Sequence, residues 1–219
     1  MTTTFINLVE DQKRYLETCL ISPHSVSAYR QQEFRTAVES YDLNFAEVVH
    51  REPLIVRANS ILTLSTTLGE TVGITSHLCS TPQLDRFKTW IGLPDQDFQQ
   101  GRFPQPPLPS DSWQHSSTPE GLSEPEQKNL KTAGFAYLFG DSTQVDRYRA
   151  TIETLYAPFV ATAYVIEKLT IEANACVIVQ GEHPAILLIS ELEIIEGGCI
   201  KLFCPTNLTV QQLKKTVIH

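Results

Sequence analysis

Apolar residues in this chain fall into short alternating runs separated by corner residues, and one arrangement occurs three times. The stretch from Leu54 to Leu64 (LIVRANSILTL) matches Leu169 to Val179 (LTIEANACVIV) almost position for position. A looser copy from Leu192 to Leu202 keeps Ile194, Gly197, Gly198, Cys199, Ile200 and Leu202 in corresponding slots, a displacement of 23 residues (Leu169 to Leu192). Self-similarity at such a period is the signature of stacked coils. Each copy reads as a strand with its apolar residues on one face, a sharp corner, and a second strand. Asn59, Asn174 and the Gly197-Gly198 pair supply residues that tolerate a left-handed corner. The predicted fold is mainly β with α: a short β-solenoid, right-handed and β-helix-like. A β-sandwich, whose hairpins draw on the same few strand and turn residues, is the alternative.

Helical periodicity frames these coils. Phe5, Leu8, Val9, Leu16 and Leu20 predict a helix over 5–20, and Phe34, Val38 and Tyr41 a second over about 24–41. Residues 1–46 are therefore expected to form a helical cap over an open solenoid end, followed by a first β segment over 47–76. Residues 77–163 read as a loop and helix insertion. Thr81-Pro82 opens a short helix with Leu84, Phe87 and Ile91 on one side. Gly92 to Gly121 is proline-rich and reads as an exposed loop. Ser123-Glu124-Pro125-Glu126 is a capping box starting a helix that Gly140 ends, and Asp141 or Ser142 starts the next. A second β segment occupies 164–219, with strand character to about Val210, and the whole forms one compact domain.

Composition narrows the function classes. The 219 residues, 42% hydrophobic and 19% charged, suit a globular protein able to bury a core. A net charge of −8 disfavours a nucleic-acid partner, which requires a basic face. No signal peptide is evident at the N-terminus and no apolar run approaches a membrane span of roughly 18 residues. A cytoplasmic location is expected, with export by a non-classical route still compatible. Of five cysteines, Cys176 and Cys199 share one repeat slot and are expected to stack in the interior as reduced, apolar side chains.

Candidate chemistry is sparse. The six histidines show no zinc-ligand spacing, and neither a phosphate loop nor a dinucleotide fingerprint is present, so no metal and no cofactor is implied. His77 and Cys79 are two apart, which is weak grounds for a dyad. Glu167, Glu172, Glu191, Glu193 and Glu196 alternate with apolar positions and are read as outward-facing, solubilising acids, with an acidic cleft as the functional variant. Asp146 and Arg149 are spaced to pair on a helix surface. The catalytic candidates are His183, at a predicted corner before Ala185, with His77, Asp141 and Arg147. Trp113 and Phe103 in the proline-rich loop are candidate binding aromatics.

The reading that follows is a non-catalytic binding or assembly protein with a protein partner or a second copy of itself. The alternative is a small enzyme, a carbohydrate or small-molecule lyase or hydrolase, binding its ligand between the coils and the 77–163 insertion.

Overall fold

The structure, a computed structural model, describes residues 27–67, 74–110 and 122–217, with side chains from residue 31 onward in the first of these. About a third of the chain is helix and a third strand, so the fold is mixed α/β rather than mainly β. In order, the elements are α1 (Ser27–Glu39), α2 (Phe45–Val48), β1 (Leu54–Val56), β2 (Ile61–Ser65), β3 (His77–Thr81), α3 (Leu84–Ile91) and α4 (Asp95–Gln99). There follow α5 (Glu124–Phe139), two 3-10 turns (Ser142–Gln144 and Asp146–Tyr148), and α6 (Arg149–Tyr156). The chain closes with β4 (Phe159–Ile171), β5 (Cys176–Gln180), β6 (Ala185–Ile195), β7 (Cys199–Leu202) and β8 (Thr206–Thr216).

The strands form two sheets. The first runs β1-β4-β6-β8, all parallel, with β3 antiparallel to the start of β4; the second runs β2-β5-β7, also parallel. The sequence repeat is the hydrogen-bond register. Leu54 stands opposite Leu169, and Leu169 opposite Leu192; Ile61 stands opposite Cys176, and Cys176 opposite Cys199. The corner residues adopt the conformation their types suggested: φ is 59° at Asn59, 56° at Asn174 and 80° at Gly197. Each corner closes with a short backbone hydrogen bond, from Ser60 N to Arg57 O, Ala175 N to Glu172 O, and Gly198 N to Ile195 O.

The first sheet is covered on both faces. One face meets the helices, where Ala161, Ala163, Val165, Ile186 and Leu188 pack with Phe34, Val38, Leu130, Tyr137 and Ile152. The other meets the second sheet, where Tyr164, Ile166, Leu187 and Ile189 pack with Leu64, Val177 and Val179. Double coverage explains the unbroken apolar run Ala185-Ile186-Leu187-Leu188-Ile189, buried at every position, where a one-sided strand would alternate. Each large aliphatic side chain in that run contributes roughly 1.5–3 kcal/mol by leaving water. Beyond Ile166 the buried series shifts to Leu169 and Ile171, because pairing lapses where Glu167, Ser190 and Gln211 stand side by side. Ser190 Oγ donates to Gln211 Oε1 at 3.0 Å across that lapse.

Several sequence expectations change. Phe34 and Val38 of α1 pack in the helical layer against the first sheet. The expected helix over 5–20 lies outside the described residues. The span read as an insertion contains β3 and the start of β4, whose small residues Ala161 and Ala163 let the helices approach closely. The helix expected at Thr81-Pro82 begins at Leu84, since Thr81 ends β3 and its hydroxyl accepts from Gln83 N. A short helix, α4, interrupts the proline-rich loop. Past Val210 the strand continues to Thr216, paired parallel with β6. Cys176 and Cys199 lie on the outer face of the second sheet: Val177 and Val179 point into the core, so alternation turns Cys176 the other way, and Ile61 in the same ladder is 67% exposed.

If the left-handed corner limits which residues the repeat accepts, Asn174→Val should lower stability by about 1–2 kcal/mol while Asn174→Gly leaves it nearly unchanged. Thermal unfolding of the two variants checks this.

Candidate functional site

Two places concentrate polar side chains. The first is in the helical layer. Lys88 on α3 is nearly buried, its side chain 11% exposed, and its ammonium donates to Tyr137 O at 2.5 Å and Gly140 O at 2.8 Å, and meets Asp95 Oδ1 at 2.8 Å. It thus satisfies carbonyls at the C-terminal end of α5, where a cation is electrostatically favoured. Asp95 in turn accepts from the Ser142 amide and hydroxyl, each at 2.7 Å. Burial alone would raise the Asp95 carboxyl, but the bonds from Lys88 and Ser142 outweigh it and hold it below the usual range.

Around the same helices the Tyr137 hydroxyl donates to Asp85, whose other oxygen meets Arg149 Nη1 at 2.6 Å. Arg149 also reaches Glu153 at 3.2 Å, and Glu153 accepts from Leu84 N at 2.9 Å, capping α3 from another element. Burial, then the Asp85 carboxylate, push the Tyr137 hydroxyl well above its ordinary value, so it remains a donor. The pairing expected between Asp146 and Arg149 is replaced by these contacts with Asp85 and Glu153.

The second polar place is the corner between the sheets at the ends of β2 and β5. Thr66 Oγ1 donates to His183 O at 2.7 Å and accepts from His183 N at 3.1 Å. Tyr164 OH donates to Ser65 O at 2.5 Å, and Thr162 Oγ1 to Thr66 O at 3.4 Å. Ser65, Thr66, Thr162 and Tyr164 are all buried. Burial raises the Tyr164 hydroxyl above its ordinary value, keeping it protonated. Gly181 has φ of 138°, and a Cβ there would press on the Thr66 amide, so the corner depends on glycine. The sequence signal was the Ser65-Thr66-Thr67 cluster at the end of an apolar strand, which gives no hint of its distant partners.

The catalytic candidates divide between layers. His183 and His77 belong to the corner and to β3. Asp141 and Arg147 belong to the 3-10 turns after α5. His183 contributes backbone atoms to the corner, and its side chain is half-exposed. His77 stands opposite Ala163; burial lowers its imidazole, partly opposed by the Val48 backbone. Asp141 is buried as a cap, accepting from Thr143 N at 3.2 Å, Thr143 Oγ1 at 2.7 Å and Gln99 Nε2 at 3.3 Å. Arg147 is exposed, donates to Tyr148 OH at 3.0 Å and lies 4.9 Å from that ring's centre. Phe103 rests against Phe98, ring centres 5.9 Å apart, as a loop anchor; Trp113 lies outside the described residues. A cavity of about 200 Å³ opens between α3, α5, α6 and β4, lined by Leu84, Leu130, Gly134, Ile152 and Phe159 among others, and none of the four candidates borders it.

The repeat's acids bind coil to coil. Glu172 accepts from Ala58 N at 2.8 Å and pairs with Arg57 at 3.2 Å; Glu193 meets Lys214 at 2.6 Å and accepts from Thr216 Oγ1 at 3.0 Å; Glu191 faces Lys168 at 3.9 Å. Among the described residues no group of three His, Cys, Asp or Glu side chains is placed to hold a metal ion, and no helix is long and apolar enough to cross a membrane. Comparison with known proteins returns no match: no protein-family model, curated protein or solved structure matches the chain.

Because the Asp95 carboxyl sits below its unfolded value of about 3.9, it stabilises the fold above that pH, and the contribution disappears as pH falls through the folded value. Asp95→Asn should therefore be less stable than wild type near neutrality, with the gap closing below about pH 4. Denaturant titrations of both proteins across the acid range check the sign.

Proposed function

We propose that the chain is a non-catalytic binding and assembly protein, in which the parallel coils form a short β-solenoid that joins a second copy of itself through its β8 end. Slot-on-slot pairing, the same left-handed corner at Asn59, Asn174 and Gly197, and the further rung at β8 support the solenoid. One observation carries the assembly reading. Leu208, Val210 and Leu213 continue the interior ladders of Leu187, Ile189 and Leu192, which are 0%, 0% and 3% exposed, yet they are themselves only half-buried. The apolar interior thus ends uncovered at the last strand of the sheet among the described residues. Such an end favours pairing between chains.

A second copy suits this end. A two-fold axis near Gln211 would lay β8 antiparallel on its equivalent, bringing the same patch to itself. Each Lys214 already meets Glu193 at 2.6 Å. The two Lys214 side chains would stand six residues apart along the strands, about 20 Å at roughly 3.4 Å per residue. That exceeds the screening length of about 8 Å, so their repulsion would not oppose the pairing.

Native mass spectrometry and light scattering at micromolar concentration are expected to give a dimer. Val210→Glu, which places a charge at the uncovered ladder, should yield a monomer with the wild-type circular dichroism spectrum. A wild-type chain that stays monomeric overturns the assembly reading.

A further inference from the structure

We infer that Cys176 and Cys199 form a site of reversible oxidation, a covalent clamp between adjacent rungs of the second sheet, with a small organic disulfide of the glutathione type as oxidant. The two residues are direct register partners on the parallel strands β5 and β7. Adjacent strands lie about 4.8 Å apart, within the roughly 4.4–6.8 Å between Cα atoms that a disulfide bridges. The sulfurs lie 2.6 Å apart. That is too close for a zinc ion between them, whose bonds of about 2.3 Å in a tetrahedron would hold the sulfurs about 3.7 Å apart. The other described cysteines, Cys79 and Cys204, are buried, and Cys204 has Thr206 Oγ1 at 3.8 Å as its neighbour.

Their location permits the chemistry. Alternation turns both thiols to the outer face of the sheet, Cys199 half-buried and Cys176 buried beside it. Burial, and then the Cys199 thiol beside it, push the Cys176 thiol up, so the more accessible Cys199 begins the exchange. Its thiolate attacks one sulfur of the small disulfide, the sulfur–sulfur bond breaks, and one small thiolate leaves and takes up a proton. Cys176 then gives up its proton and attacks the Cys199 sulfur, expelling the second small thiolate. Two protein thiols lose two electrons, and one small disulfide gains them to become two thiols. The bond closes the loop 177–198 and restricts the unfolded chain, which raises the unfolding temperature by roughly 5–10 °C.

The test uses the full chain, treated either with oxidised glutathione or with dithiothreitol, then denatured, alkylated and cleaved after glutamate and lysine. Cleavage after Glu172, Glu182, Glu196 and Lys201 isolates Cys176 in 173–182 and Cys199 in 197–201, away from Cys204. The expected result is a linked pair of these fragments in the oxidised sample, absent after dithiothreitol and absent in Cys199→Ser and Cys176→Ser. The higher unfolding temperature should appear with the link and vanish with it. Free, alkylated thiols at both positions after oxidation overturn the proposal. So do a link from Cys199 to Cys204, a stable glutathione adduct without a link, and a linked chain that unfolds at the reduced protein's temperature.

Discussion

Register is the constraint on which the rest of the structure depends. With two parallel sheets in register, every repeat must turn at the same place, so the residue at the corner of one repeat sits beside the corner of the next. Asn59, Asn174 and Gly197 meet that demand with the same left-handed backbone. A slip of one residue in any rung would turn its apolar series outward. It would also separate Glu172 from the Ala58 amide and Glu193 from Lys214, the acids that join neighbouring rungs. The hydrophobic ladders and these polar links thus select the same alignment, and the helices are free to use the opposite face of the first sheet.

That second use of the sheet explains why β4 and β6 are long. Their first halves carry helices on one side and the second sheet on the other, and their second halves run past the lapse at Glu167 and Ser190 toward the corner. The helical layer needs its own polar accounting. Lys88 closes the end of α5, Glu153 caps α3, and Asp141 caps the turn that follows α5. Each of these groups bonds a backbone end and at least one side chain: Lys88 meets Asp95, Glu153 meets Arg149, and Asp141 accepts from Thr143 Oγ1 and Gln99 Nε2. Asp141, buried in its turn, has three donors: Thr143 N, Thr143 Oγ1 and Gln99 Nε2.

The legible part of this fold was whatever repeats or caps. The alignment of Leu54, Leu169 and Leu192 became the strand register, and the Ser123–Glu126 pair became the start of α5, with the Glu126 carboxylate accepting from the Ser123 amide and hydroxyl. The pairing of β8 and its run past Val210 escaped because it pairs with a displacement of 21 residues (Ala185 to Thr206) rather than 23, and its Thr, Asn and Gln side chains dilute the apolar alternation. The strand β3 escaped because an antiparallel partner for β4 leaves no repeat signal. Cys176 is buried and stacks on Cys199 as expected, but Cys199 is only half-buried and the pair faces away from the apolar core. A shared slot establishes that two residues are neighbours, but alternation from Val177 decides which side of the sheet they share. The corner around Thr66 and His183 was illegible because most of its hydrogen bonds end on backbone atoms of chain segments far apart in sequence.

An edge strand of a parallel sheet has a neighbour on one side only and opens more readily than a central one. In the second sheet β2 and β7 are such strands, and β8, which follows β7 immediately, is an edge strand of the first sheet. Cys199 therefore sits on an edge strand, and the proposed bond to Cys176 would tie it to a strand held on both sides, since β5 lies between β2 and β7. An end fixed in this way keeps Leu208, Val210 and Leu213 in one arrangement, and a preorganised surface loses less entropy when it meets another. The proposed clamp and the half-buried apolar residues of β8 thus lie on consecutive strands. Under the proposed assembly, oxidation would strengthen association without touching the residues that make the contact.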